Sequence, residues 1–412
     1  MEGYTLIRCG ALFDGSAQEV KEGWNILIKE GVIVEAGPQA ACPQGAEIVD
    51  LSGLFVTPGL IDAHVHAEFF DWRNIYSDFA SFTDEWLALG ALHTAQQALL
   101  GGFTTLRVLG TFSRGFGLAD VKRAIAAGYF DAARLYISPH GLSVTGGHGD
   151  LSKSIHQNPA VSGLLQSHGV GSGADFFAEC VRREVKYGAD FIKILASHSF
   201  GGPDGCDERL EFTGPELKAI LEAAYALRIP VTAHAYTPGL MRRLAEEGVS
   251  GIEHGSMMDK ETAKILESAG VYVVTTFSPL DDSLYGDEND QSLSEQTRHR
   301  IRHYGKRLRE GRQALLESGL TLGFGSDHVS KYQSYESWRE YASWVKSGAS
   351  PLRALKAATS VNAGIIGASD IGKIAPGMRA DIAGWPPGLL KDPALMADCR
   401  FVMKDGKTIK TR

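Results

Sequence analysis

The chain has 412 residues, of which 44% are apolar and 22% charged, and its formal net charge is -8. That length exceeds one small domain and suits a large barrel with a smaller partner. The acidic balance argues against a nucleic-acid partner, because phosphates need a basic surface, but it leaves room for a small anion held by one local cation.

No apolar run reaches the roughly 18–20 residues that span a bilayer, so no membrane partner is expected. The segment from Met1 to Asp14 has no basic stretch followed by an apolar one, and a cytoplasmic location is expected. The five cysteines (Cys9, Cys42, Cys180, Cys206 and Cys399) show no CxxC spacing. They read as reduced thiols, not as a thiolate zinc site.

In chain order, residues 1–57 read as short strands at 4–7, 24–29, 32–36, 47–50 and 54–56, punctuated by Asp14-Gly15, Glu30-Gly31 and Gly37-Pro38. A different grammar runs over 58–369, where apolar runs alternate with helical patterns. Eight strands are expected at 60–65, 104–109, 134–138, 191–195, 231–235, 251–254, 271–276 and 321–325. One crossover helix is expected to start at Thr213-Gly214-Pro215-Glu216, with a threonine cap, an early proline and a capping-box glutamate. Residues 370–412 return to strands at 381–384 and 401–404, with a hairpin turn at Lys404-Asp405-Gly406-Lys407. The expected fold is α/β: a (β/α)8 TIM barrel over 58–369, with a small β-sandwich domain formed by 1–57 and 370–412.

Polar side chains stand at the ends of the expected strands. His64-Val65-His66 closes the first, and period-two geometry turns both imidazoles to one face. The fourth contains Phe191-Ile192-Lys193-Ile194-Leu195, a lysine within an apolar run. The fifth ends at His234, the sixth at His254 and the eighth at Asp327. Barrel active sites lie at the C-terminal strand ends, so strand position and ligand chemistry select the same places. A lone histidine is usually a core or surface residue; four at strand ends with an aspartate point to a metal site.

Lys193 reads either as a lysine that snorkels to solvent or as part of this site. An ammonium facing imidazoles and dications is unfavourable, and burial pushes its pKa below the usual value of about 10.4. A neutral amine takes up carbon dioxide to form a carbamate, whose two oxygens can bridge two metals. Two such metals, about 3.5–4 Å apart, share a water and lower its pKa toward about 7. The hydroxide attacks a carbonyl that a metal polarises, and Asp327 carries the proton to the leaving amine.

At this point a family resemblance is plain. Thr57-Pro58-Gly59-Leu60-Ile61-Asp62-Ala63-His64-Val65-His66, Lys193, His234, Gly251-Ile252-Glu253-His254-Gly255, Gly325-Ser326-Asp327 and the return segment from Gly372 to Asp381 resemble the amidohydrolase superfamily. The resemblance implies a binuclear centre. His64, His66 and Asp327 would hold the more buried metal, His234 and His254 the other, and carboxylated Lys193 would bridge them. Zinc is the metal implied.

Within the superfamily the chain is similar to the prolidase-like dipeptidase group, which includes amidases that hydrolyse ochratoxin. Thr145-Gly146-Gly147-His148-Gly149-Asp150 and Tyr236 carry that similarity. It implies that His148 and Tyr236 contact the substrate's carboxylate or carbonyl. A homo-oligomer, in some relatives an octamer, is implied too.

The stretch Ala196-Ser197-His198-Ser199-Phe200-Gly201-Gly202 departs from the glycine-led pattern common there. His198 is a candidate substrate contact or an ordinary loop residue. Residues 281–290 form either a lid or a solvated loop. Trp72, Trp338 and Trp344 either face a hydrophobic substrate or fill cores.

The expected activity is amide hydrolysis in dipeptides or N-acyl amino acids with a free carboxylate, including ochratoxin-like amides. A deaminase or cyclic-imide hydrolase fits less well, because no acid follows His234 in His234-Ala235-Tyr236-Thr237-Pro238. A phosphotriester or ester hydrolase gives His148 and Tyr236 no carboxylate to read. A non-catalytic scaffold would leave all six expected ligand positions filled without a use.

Overall fold

A computed structural model describes residues 3–411 apart from 17, 70–77, 79, 157, 199–207 and 330–334. Trp72, Cys206 and residues 199–202 of the loop after Lys193 therefore lie outside the described residues.

The centre is a parallel barrel. Its strands are β1 (Leu60–Val65), β2 (Phe103–Thr111), β3 (Arg134–Val144), β4 (Ile192–Leu195), β5 (Val231–Ala235), β6 (Gly251–His254), β7 (Tyr272–Thr275) and β8 (Leu322–Phe324). They pair in chain order, as helical crossovers between parallel neighbours require. Strands β1, β2, β4, β5, β6 and β8 are buried at every position, the signature of a sheet covered on both faces. The seam between β8 and β1 is closed by few bonds. Asp327 N donates to His64 O at 2.8 Å, and His66 N donates to His328 O at 3.2 Å. Gly325 is needed there, because a Cβ would stand 2.5 Å from the His64 Cβ.

The expected helix start is present. The helix Gly214–Ala226 opens with Thr213 as N-cap, and Glu216 completes the capping box. β2 and β3 run longer than expected, because Gly110-Thr111 and Pro139–Val144 carry little apolar patterning yet continue the strands at their C-terminal ends. Trp344 is fully buried, and Trp338 packs against the core.

Both chain ends form a second sheet, from Tyr4–Leu12, Asn25–Lys29, Val32–Gly37 and Glu47–Pro58 at the start to Ile382–Trp385, Phe401–Lys404 and Lys407–Thr411 at the end. Its own apolar core includes Ile7, Leu12, Ile26, Val56, Ile382 and Phe401. Glu47–Pro58 is one strand instead of two, because a register shift between Cys9 and Ala11 absorbs the irregularity at Ser52-Gly53. Asp405 (φ 50°) and Gly406 (φ 76°) give the hairpin the left-handed pair its tight turn demands.

Asp405 also joins the sheet to the barrel. Its carboxylate meets Arg134 of β3 at 2.7 Å and Arg379 at 3.0 Å. Burial works to raise its pKa, but Arg134, Lys404 and Arg379 prevail and hold it at about 2. A depressed carboxylate stabilises the fold above the ordinary range near 3.9 and loses that contribution as pH falls toward 2. Asp405→Asn is therefore expected to lower the Tm at pH 7, and the gap from the native chain should close toward pH 2. A gap that stays constant across melts in this range would assign the effect to something other than charge.

Candidate metal centre

The C-terminal strand ends converge as their chemistry requires. His64 and His66 leave β1 on one face, and Asp327 follows β8 across the seam. The Nε2 atoms of His64 and His66 lie 3.4 and 3.5 Å from Asp327 Oδ1. One ligand atom from each of the three falls within 4.8 Å of the others, a spacing that can hold an ion. His254 ends β6, its ring centroid 4.7 Å from that of His64. The His234 ring, from β5, stands 4.6 Å from His254. His234 and His254 thus adjoin the tight trio without belonging to it. Two of these residues carry rare backbone for their type, His254 at φ 72° and Asp327 at φ 51°. Such strain persists where the surroundings over-determine it.

Electrostatics suit cation binding. Burial, the largest influence, lowers the pKa of His66 to about 4 and holds His234 and His254 well below the usual imidazole value. Neutral imidazoles are ligand-competent at pH 7. For Asp327 burial pushes upward, but His64, His254, His66 and Lys193 outweigh it and hold the carboxyl at about 2. Lys193 is 1% exposed, and its Nζ has no hydrogen-bond partner among the described residues. Burial lowers its pKa to about 8, partly opposed by Glu253 and Asp327. A substantial neutral fraction is what carbamate formation needs. His64 Nε2 and His234 Nε2 are likewise buried without partners. A site built to satisfy itself would not leave three such atoms. The donor set fits divalent metal ions of the nitrogen- and oxygen-preferring kind.

Partners behind the cluster were missed in the sequence. Glu253, fully buried on β6, accepts from His64 Nδ1 at 2.7 Å, Arg107 at 2.8 Å and Thr232 Oγ1 at 2.6 Å. This directs His64 Nε2 into the site, as a carboxylate behind a metal-binding histidine does. Asp62 accepts from Ser326 N at 3.0 Å and Tyr335 Oη at 2.7 Å, fixing the turn that carries Asp327. His254 Nδ1 lies 2.8 Å from Thr276 Oγ1. Arg107 could have been found: Thr105-Leu106-Arg107-Val108-Leu109 buries a cation in an apolar run, the same pattern that singled out Lys193.

The candidate substrate residues separate into two groups. The His148 ring stacks on His234 at 4.8 Å and 20°. The flanking glycines let its loop close: a Cβ at Gly149 would strike Leu195 at 2.5 Å. The Tyr236 ring stacks on His254 at 4.9 Å and stands edge-on to His234 at 4.6 Å. His198 sits apart from the imidazole cluster in its contacts. Its Nδ1 lies 3.3 Å from Glu211 Oε1, and Glu211 Oε2 accepts from His148 N at 3.0 Å. Glu211 is thus a shared neighbour of His198 and of the His148 backbone. Residues 281–290 begin with a short helix, Asp281–Tyr285, pinned by Arg312 to Asp281 at 2.8 Å.

Fold and site together define a TIM-type barrel with a candidate metal-ligand cluster at the C-terminal ends of its strands. The chain belongs to the amidohydrolase family, whose model matches residues 55–411, and this points to a hydrolase. It is similar to ochratoxinase of Aspergillus niger, at 25% identity over 98% of this chain and 86% of that protein. A crystal structure of a Xaa-Pro dipeptidase with methionine bound in the active site superposes with a TM-score of 0.85 and 26% identity, covering 99% of this chain and 100% of the other. The structure of A. niger ochratoxinase gives the same TM-score at 23% identity, over 100% and 96% of the two chains, and speaks for the fold alone. Among the described residues, no helix is long and apolar enough to cross a membrane.

Proposed function

We propose that the protein is a binuclear metal-dependent amidase that cleaves a peptide-type bond in dipeptides or N-acyl amino acids with a free carboxylate. The observation that carries this reading is the set of buried atoms His64 Nε2, His234 Nε2 and Lys193 Nζ, which have no hydrogen-bond partner among the described residues, beside neutral imidazoles and an ionised Asp327. His64, His66 and Asp327 would hold one ion, His234 and His254 a second, with Lys193 as a carbamate between them. Zinc suits these donors. Such ions, when bound, supply Lewis acidity and an acidified water.

The chain's own residues then divide the remaining work. Asp327 takes a proton at its carboxylate and returns it to the departing amine, which is otherwise a poor leaving group. His148, held neutral by burial with its pKa lowered to about 3, donates a hydrogen bond to the substrate carbonyl or carboxylate. Tyr236, which like His148 adjoins His234, orients the same group. Phe69 and Phe112, packed beside His66 with centroids 5.7 Å apart, offer an apolar wall to the acyl side. The dipeptidase and ochratoxinase relatives support an amide as the scissile bond. The soluble form is proposed to be a cytoplasmic homo-oligomer.

Metal analysis of protein prepared with zinc and bicarbonate tests the centre: close to two ions per chain are expected. A value fixed at one would remove the lysine bridge. Hydrolysis of a panel of dipeptides, N-acyl amino acids and ochratoxin-like amides tests the reaction, and cleavage of esters but no amides would defeat it.

A further inference from the structure

The helix Glu295–Glu317 carries many arginines, most of them paired. Arg298 and Arg302 both bind Glu295 at 2.7 Å, Arg309 donates to Leu284 O at 2.8 Å, and Arg312 binds Asp281 at 2.8 Å. Arg300 differs. Among the described residues its one hydrogen bond is a long 3.3 Å contact to Thr297 Oγ1, and it has no carboxylate partner. Its Nε is buried with no acceptor. A buried N–H of a charged group left unsatisfied is costly, so its retention requires an explanation.

The position of Arg300 supplies one. Residues 300, 304 and 308 follow at intervals of four and share a helix face. Tyr304 and Leu308 of that face pack against Tyr236, together with Met257, Leu280 and Leu284. Arg300 is one turn further along the same stripe. Tyr236 in turn packs on His254 and His234. Burial lowers the pKa of Arg300, and only Tyr236 and Asp282 oppose it. The guanidinium remains a cation, on the Tyr236 side of the cluster, in a chain whose net charge is -8.

We propose that Arg300 is the anchor for the substrate's free carboxylate. This rests on the amidase reading given above. A guanidinium presents parallel N–H donors that match a carboxylate's two oxygens, which a lysine ammonium does not reproduce. Nε with one Nη forms such a fork, and Nε is the atom left unsatisfied. Tyr236 would complete the grip, while the scissile carbonyl reaches past it to the histidines. The anchor would make the protein a carboxypeptidase-type enzyme that requires an unblocked C-terminal acid.

The test uses the metal-loaded protein with N-benzoyl derivatives of glycine, alanine, proline and phenylalanine, each as free acid and as carboxamide. The native enzyme should prefer the acids. Arg300→Gln should lose about 100-fold in kcat/KM on the acids, mostly in KM, and less than about threefold on the carboxamides. Retained carboxamide activity and an unchanged Tm would show an intact site. Arg300→Lys should recover only part of the loss. Calorimetric binding of the free acids is measured in parallel.

Equal losses on acids and carboxamides, or a native enzyme indifferent to the carboxylate, would overturn the anchor and leave the amidase. Arg300-dependent binding of the acids without any amide cleavage would keep the anchor and overturn the amidase. Absence of both binding and cleavage would overturn both.

Discussion

Lys193→Ala is expected to lower kcat/KM by more than about 10³-fold and to reduce metal content below two ions per chain. The loss should exceed the ~10–100-fold that removal of an outer partner of a metal ligand costs, because on the proposed reading a bridging ligand itself would disappear. Short carboxylic acids such as acetate or propionate should restore part of the activity, since they return two oxygens to the space the side chain vacated. The physical basis is the Nζ at 1% exposure, without a hydrogen-bond partner among the described residues and with a pKa of about 8. A buried amine so placed is a burden to the unmodified fold. Lys193→Met, of similar volume and without the amine, should therefore raise the Tm of metal-free protein while abolishing activity. An active alanine variant, or a methionine variant that melts lower without metal, would count against the bridging lysine.

The second large effect concerns a positioning residue. Glu253→Ala is expected to destabilise the protein by about 3–5 kcal/mol, because Arg107 is left as a buried charge without its partner. Arg107 is 1% exposed and its other contacts, Ala63 O at 3.0 Å and Tyr272 Oη at 3.1 Å, carry no compensating charge at neutral pH. Metal affinity should fall by about 10–100-fold as His64 loses the acceptor that sets its tautomer. The double variant Arg107→Met with Glu253→Leu should recover much of the stability, since no unpaired charge remains. It should not recover the affinity, because His64 still lacks its acceptor. Recovery of both together, measured by denaturant melts and metal titration, would show that Glu253 acts on the fold alone.

The architecture was legible where local pattern and chemistry coincide. All eight barrel strands lie where apolar runs place them, though β2 and β3 extend beyond those runs, and the capping box at Thr213 and Glu216 marks its helix. Lys193 stood out because a cation interrupts an apolar strand. The same interruption at Arg107 went unread, as no ligand role attaches to arginine. Glu253 lies beside His254 in the sequence, yet its side chain points back to His64 of another strand. That pairing is a product of barrel closure and leaves no trace in spacing. Arg300 was illegible for a different reason: on a helix with so many arginines, only tertiary contacts distinguish the one whose buried Nε finds no acceptor among the described residues. The strand Glu47–Pro58 joins the two runs expected at 47–50 and 54–56, since its pairing partner shifts register between Cys9 and Ala11.

The seam between β8 and β1 has a further consequence. The residues whose backbones stitch it, His64, His66, Asp327 and His328, include three of those offered to one ion. Ring closure and occupancy are therefore two aspects of one local opening equilibrium. The Asp327 and His66 amides should exchange with deuterium faster than those at the β5–β6 pairing in metal-free protein, and should slow by the largest factor once the ions bind. The barrel would then breathe along a single staved joint, and its hydrolytic centre would serve as the hoop.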